Sequence, residues 1–216
     1  MKLVCLHGFL GSSKDFSFLK SEFDVFAPNL DDYLDLSISE IFNKLDLNSE
    51  NILIGYSFGA RLAMQVFLKD PDKFKKVLLF AGHMGLDTSE EKEERYKFEN
   101  MMISFIKNNS INSFQKMWNS LDLFQYDKKV EISSLAKKEI LIKYFKNFGL
   151  SRQPSLKKDL LRFKDKIQIY YGSLDSKYCE YSRRNLSEFN VDYFSNTGHR
   201  LLDKKEIIIK IIRDNI

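Results

Sequence analysis

The sequence predicts a doubly wound α/β domain, and three observations carry that prediction. Short apolar runs alternate with amphipathic helical stretches along most of the chain. One apolar run, Asn51-Ile52-Leu53-Ile54, ends in the turn Gly55-Tyr56-Ser57-Phe58-Gly59. Leu62, Ala63, Val66 and Phe67 then recur at helical spacing, which describes a strand, a tight elbow and a helix. The alternation breaks once, from residue 86 to residue 150, where helical stretches follow one another without a convincing strand.

Taken in order, Leu3-Val4-Cys5-Leu6 is the kind of unbroken apolar run that is buried on both faces of a parallel sheet, and it stops at the loop His7-Gly8-Phe9. Phe16, Phe18, Leu19 and Phe23 predict a helix from about Ser13. Val25-Phe26-Ala27 before Pro28 is the second strand, and Ile38, Ile41, Phe42 and Leu45 mark the second helix. After the elbow, Val77 to Phe80 is the fourth strand, closing at Ala81-Gly82-His83. Ile167 to Tyr171 is the fifth and Val191 to Phe194 the sixth. A last helix from about Lys204 carries Ile207, Ile208, Ile211 and Ile212 on one side. Right-handed crossovers make this a mostly parallel sheet of about six strands, covered on both faces. An order 2-1-3-4-5-6 places the topological switch, and with it a ligand crevice, between the first and third strands. Residues 1–85 and 151–216 then form the core, and residues 86–150 a helical lid over the carboxyl ends of the strands.

With 216 residues, 44% hydrophobic and 14% aromatic, the chain suits one compact domain with a full core. A net charge of +4 from 34 basic and 30 acidic side chains describes a mixed surface, not a nucleic-acid binder. Much of the positive excess falls between Lys137 and Lys166, where solvated helix faces are the reading preferred over an acidic substrate. Cys5 and Cys179 make no disulfide framework, which points to a reducing compartment. The N-terminus has no signal-peptide core, and no apolar run reaches membrane-spanning length. The expectation is a soluble cytoplasmic protein, monomeric or weakly homo-oligomeric, acting on a small molecule.

A serine hydroxyl is a poor base or nucleophile at neutral pH unless an imidazole and a carboxylate support it. Glycines at 55 and 59 leave room for Ser57 to stand exposed at the tip of a strained turn, above a helix N-terminus. Three histidines are available: His7, His83 and His199, the last after the sixth strand in Ser195-Asn196-Thr197-Gly198-His199. The elbow resembles that of the α/β-hydrolases, whose chain order of serine, acid and histidine selects His199. The acid belongs on a strand-end loop between them, and Gly172-Ser173-Leu174-Asp175 supplies Asp175, whose competing role is a helix N-cap. The backbone N–H groups of Phe9 and Phe58 are the expected oxyanion donors.

These motifs resemble the α/β-hydrolase superfamily across nearly the whole chain. A narrower resemblance is to the 2-succinyl-6-hydroxy-2,4-cyclohexadiene-1-carboxylate synthases, menaquinone-pathway lyases of this fold that eliminate pyruvate. It rests on Gly55 to Arg61, Gly82-His83-Met84-Gly85-Leu86 followed by Glu94-Arg95, Trp118, Gln153-Pro154-Ser155-Leu156, and Tyr171 to Lys177. It implies that Arg61 and Arg95 bind substrate carboxylates, that Tyr56 and Trp118 line the pocket, that His83, a family motif residue, belongs with them to the substrate-binding set, and that no metal or organic cofactor is needed. The residues agree in part: Arg61 stacks on the Ser57 side of its helix, and Arg95 shares a face with Phe98, Met102 and Phe105. The competing roles are a surface pair with Glu91 for Arg95 and core packing for Trp118. Three departures stand out. Ala27-Pro28-Asn29-Leu30-Asp31-Asp32-Tyr33 replaces the family's Asp-Leu-Pro-Gly-His-Gly. Ile132 to Lys137 shows no counterpart of a further lid arginine. The chain also starts on what would be the family's third strand, without a leading antiparallel hairpin.

The expected reaction is therefore elimination of pyruvate from a succinyl-bearing cyclohexene carboxylate, with Ser57 as base. A serine hydrolase of esters or thioesters, with Ser57 as covalent nucleophile, is the alternative. A non-catalytic binding module is the third reading.

Overall fold

The computed structural model describes residues 1–48, 50–131 and 137–216. Its sheet is built from β1 (Lys2–Leu6), β2 (Val25–Phe26), β3 (Asn51–Tyr56), β4 (Phe74–Phe80), β5 (Ile167–Gly172) and β6 (Asn190–Phe194). Every neighbouring pair is parallel, and the order is β2-β1-β3-β4-β5-β6, as the alternation of strands and helices predicts.

The apolar runs are continuous because both faces of each central strand are covered. Val4 and Leu6 of β1, Leu53 of β3, and Val77 and Leu79 of β4 point into one core, with Ile41 of α1 (Ile38–Lys44) and most of the apolar residues of α2 (Phe58–Phe67). Leu3, Cys5, Ile52, Ile54, Leu78 and Phe80 point into the other. That second face is closed by Ile208 and Ile212 of α8 (Lys205–Asp214), both fully buried. Ile207, expected on the same side, is 43% exposed, because the stripe that meets the sheet is centred on Ile208 and Ile212 at i,i+4 spacing. Each fully buried aliphatic or aromatic side chain contributes about 1.5–3 kcal/mol.

The segment from Ser13 differs from its prediction. It is a 3-10 helix, Ser13–Leu19, opened by a Ser12–Asp15 capping box. At three residues per turn, positions three apart eclipse, so Phe16 and Leu19 both face the core on a segment too short for an amphipathic α-helix.

Between β4 and β5 lie α3 (Ser89–Asn108), α4 (Ile111–Asn119), α5 (Lys138–Phe148) and the short α6 (Lys157–Leu161). A Thr88–Glu91 capping box starts α3. Met102, Ile103 and Ile106 of α3, Phe114 of α4, and Leu141 and Phe145 of α5 make a separate apolar cluster. Phe9, from the loop after β1, packs its ring edge-on against Trp118, Tyr144 and Phe145 at centroid distances of 4.9, 5.1 and 5.2 Å, joining that cluster to the sheet. The last helix before β6 is α7 (Ser176–Asn185).

The elbow between β3 and α2 is a tight crossing. A Cβ on Gly59 would lie 2.0 Å from the Leu6 carbonyl oxygen, and one on Gly55 would lie 2.5 Å from the Ala60 Cα. Both obstacles are backbone, so neither can step aside as a side chain could. Gly59→Ala is therefore expected to cost about 3 kcal/mol or more in chemical denaturation, with the elbow displaced. A midpoint within error of the parent would contradict this account of the crossing.

Candidate active site

Ser57 is the N-cap of α2, at φ 51° and ψ −109°, a left-handed conformation that disfavours any residue with a Cβ. Its N–H donates to the Phe80 carbonyl at 2.8 Å, and its side chain makes no cap bond to the helix. The hydroxyl lies instead 3.0 Å from His199 Nε2.

The other ring nitrogen, His199 Nδ1, lies 2.6 Å from Asp175 Oδ2. Asp175 is also the N-cap of α7, its Oδ1 accepting the Tyr178 N–H at 3.2 Å. The cap and the acid are thus one residue using its two oxygens separately. His199 and Asp175 are 2% and 4% exposed, so their mutual bond is formed away from bulk water, where it is electrostatically stronger. The arrangement, with the serine hydroxyl beside Nε2 and a carboxylate on Nδ1, is that of a base-activated hydroxyl.

Phe58 opens α2, so its N–H is one of the amides with no carbonyl partner inside the helix. Phe9 follows the β1 loop that His7 secures. His7 Nε2 accepts the Leu30 N–H at 2.9 Å, which leaves the proton on Nδ1 to be donated to the Gly8 carbonyl at 2.8 Å. His7 is committed to holding the loop.

Two cavities meet at the serine, sharing Phe9, Ser57, Trp118, Phe124, Tyr144 and His199. The smaller, about 320 Å³, also contains Phe58, Arg61, Arg95 and Lys177. The larger, about 910 Å³, contains Tyr56 and Arg200. Arg61 donates from Nη1 to Gln153 Oε1 at 3.2 Å and from Nη2 to the Phe148 carbonyl at 3.0 Å, and it lies over the Phe58 ring. Burial, and then the nearby Arg95, bring its pKa down to about 10. Arg95 Nε donates to Glu99 Oε1 at 2.8 Å. Glu91, the surface partner in the competing reading of Arg95, is occupied in capping α3, and the carboxylate that Arg95 meets is the buried Glu99 one turn further on. Glu99 in turn accepts from the Ser151 hydroxyl at 2.5 Å and the Ser151 N–H at 3.3 Å.

Trp118 packs against Phe9 and Phe124 and lines both cavities. Burial pushes the Tyr56 phenol far above its usual range, so it remains a neutral group beside the His199 ring. His83 corrects an expectation, for it lines neither cavity. Its ring stacks on Tyr181 at 3.9 Å, Nδ1 accepts the Gly85 N–H at 3.2 Å, and its carbonyl accepts from Gln153 Nε2 at 3.1 Å. The aromatic stack and the Gln153 bond retain it there as a support for Arg61, which Gln153 also contacts. Ile132 to Ala136, where a further arginine was sought, lie outside the described residues.

Residue patterns alone did not single out Glu99 or Asp127. A glutamate one turn after Arg95 on a face bearing Phe98 and Met102 was the available signal for Glu99. Asp127, which binds the His199 loop, follows a short 3-10 turn and gives no periodic signal. Among the described residues no group of histidine, cysteine, aspartate and glutamate could hold a metal ion, and no helix is long and apolar enough to cross a membrane.

No family model matches the sequence. A Bacillus subtilis (strain 168) protein, named as a candidate 2-succinyl-6-hydroxy-2,4-cyclohexadiene-1-carboxylate synthase, is 24% identical over 244 residues, covering 98% of this chain and 89% of the relative. The synthase of that name from Citrobacter koseri is 26% identical over 220 residues, covering 91% and 86%. MenH from S. aureus superposes with a TM-score of 0.86 at 19% identity, covering all of this chain and 92% of that one. The chain has the α/β-hydrolase fold and resembles these synthases. A thermophilic esterase from Thermogutta terrifontis shares the fold more distantly, with a TM-score of 0.65 at 16% identity over 99% of this chain and 88% of that one.

Within this α/β-hydrolase site His83 has a measurable signature. Burial, followed by Arg61, Arg95 and Lys177, holds its pKa at about 3, against 6.5 when unperturbed. The unfolded chain therefore binds a proton at His83 below pH 6.5 that the folded chain refuses. The corresponding stability is fully present above pH 6.5 and is lost as the pH falls from 6.5 toward 3. His83→Asn is expected to flatten the fall in Tm over that acid range. An acid limb parallel to the parent's would contradict the assignment.

Proposed function

We propose that the chain is a lyase that eliminates pyruvate from a succinyl-bearing cyclohexene carboxylate, the chemistry named in the curated relatives. The observation that carries this reading is the charge of the smaller cavity. Arg61, Arg95 and Lys177 line the space beside Ser57, and the buried carboxylate there, Glu99, is bonded to Arg95 alone of the three. The lowered pKa of Arg61 reports a partly desolvated cation repelled by its neighbour, an arrangement that a substrate carboxylate relieves. Arginine suits such bidentate contacts.

In the proposed reaction His199 Nε2 takes the Ser57 proton as Ser57 removes the ring proton α to the succinyl carbonyl, and His199 later returns that proton to the departing enolate, which becomes pyruvate. Asp175 stabilises the imidazolium. The Phe9 and Phe58 amides hold the enolate oxygen formed by the deprotonation, and its electron pair returns through the ring double bond to expel the enolate of pyruvate as the carbon–oxygen bond breaks. The helices between β4 and β5 serve as a lid, supplying Arg95 and Trp118. No metal or organic cofactor enters the sequence of steps.

A hydrolase reading is favoured by one specific observation: the same Ser57–His199 contact positions the hydroxyl equally for attack on an ester carbonyl. Incubation with the pathway intermediate, with pyruvate as readout, and in parallel with a small activated ester, separates the two. Pyruvate release that Arg61→Ala lowers by about tenfold to a hundredfold in kcat/KM, one charge-assisted contact, is the expected result. Brisk ester turnover without pyruvate, untouched by Arg61→Ala, refutes the lyase. Ser57→Ala is expected to lower the activity by about four to six orders of magnitude, and a near-native rate in this variant refutes both enzymatic readings.

A further inference from the structure

The backbone amides of His199 and Arg200 are both held from outside the sheet, by one carboxylate. Asp127, beyond α4, accepts the His199 N–H on Oδ2 at 3.0 Å and the Arg200 N–H on Oδ1 at 3.1 Å. The fit is close: a Cβ on Gly198 would fall 2.5 Å from Asp127 Oδ1. Two further contacts bind the same strip of chain to the same loop. The Arg200 guanidinium lies 4.6 Å from the Phe124 ring centroid and donates from Nη2 to Asn119 Oδ1 at 3.1 Å. Asn119 closes the strip on itself, accepting the Val130 N–H at 2.9 Å and donating to the Val130 carbonyl at 2.8 Å.

We infer that Asp127 is a positioning residue for His199, tying the imidazole that serves Ser57 to the segment that carries Trp118 and Phe124. The reasoning is geometric. The Asp175–His199 bond fixes one edge of the ring, and Leu174 holds the Thr197 carbonyl two residues before it. The two consecutive amides of His199 and Arg200 themselves are taken by Asp127. Phe124, three residues earlier, lies edge-on to the His199 ring at 5.7 Å. A carboxylate has the two acceptors that this requires, and an asparagine side chain has only one. Anything that presses on Trp118 or Phe124 from the cavities therefore acts on the base through a short, stiff connection. Displacing a reacting group by about 1 Å can cost about a hundredfold in rate.

The inference rests on the reading of Ser57, His199 and Asp175 as the reacting trio, and not on which substrate they act upon. Its test is the long-range 1H–15N spectrum of the three histidine rings, assigned with His199→Ala, in the parent, Asp127→Asn and Asp127→Ala. The parent is expected to show one His199 tautomer, protonated at Nδ1. Asp127→Ala should move the His199 nitrogens toward exchange between tautomers and leave the His7 and His83 rings unmoved. Asp127→Asn, which keeps one acceptor, should lie between them and covers the case in which Asp127→Ala fails to fold. Alongside, kcat for pyruvate release should fall about tenfold to a hundredfold with KM within about threefold. His199 nitrogens unchanged in a folded variant overturn the inference, whatever happens to kcat. Shifted nitrogens in a protein that releases no pyruvate leave the positioning role standing and remove the lyase.

Discussion

The approach of α2 to β1 sets everything at the mouth of the sheet. Because Gly59 has no side chain, the first turn of the helix can rest against the Leu6 carbonyl, and only at that separation does β3 enter the helix through a turn as sharp as the one at Ser57. The strain at φ 51° is imposed by strands and helix that are themselves buried on both sides, so the cost of about 1–3 kcal/mol is offset by packing already in place. The consequence is chemical. Ser57 leaves its helix uncapped, and its hydroxyl is therefore free for His199.

Charge in the smaller cavity follows a different logic from charge on the surface. Lys97 and Glu93 form an exposed i,i+4 pair of the kind that contributes little. Glu99 is 2% exposed and would be costly without partners, and it has three: Arg95 Nε and the Ser151 hydroxyl and N–H. Those bonds fix Arg95 through its Nε, and Gln153 and the Phe148 carbonyl fix Arg61. The two guanidinium groups are thereby held rigid beside each other despite their repulsion. A preorganised cationic pair of this kind favours an anion because the cost of assembling it has been met by folding.

The sheet was legible because its evidence is local and periodic. Leu3 to Leu6 and Val77 to Phe80 alternate between two cores and so show no polar face, which is the mark of a covered parallel strand. The serine, acid and histidine could be picked from strand ends and chain order, since each lies just beyond an apolar run. The 3-10 character of Ser13–Leu19 was not legible, because Phe16 and Leu19 satisfy both helical periods. Neither was the partner of Arg95: Glu91 and Glu99 stand four residues on either side of it, and only the capping of α3 decides between them. His83 misled for a related reason. A histidine at a strand end looks the same in sequence whether its ring faces the crevice or, as here, stacks on Tyr181 behind it.

Phe9 brings the separate parts of the site under one constraint. Its ring is gripped by Trp118, Tyr144 and Phe145, while its main chain continues the loop that His7 secures to Leu30. The Phe9 main chain is thus placed by the packing of α4 and α5, just as the His199 backbone is held by the strip that follows α4. The same aromatic rings line the space that Ser57 shares with Arg61 and Arg95, and beside apolar rings each guanidinium–carboxylate contact is stronger than in open water. The serine geometry serves elimination and ester hydrolysis alike. What distinguishes the lyase reading is the pair of cations beside it, which an ester without a carboxylate would leave unpaired.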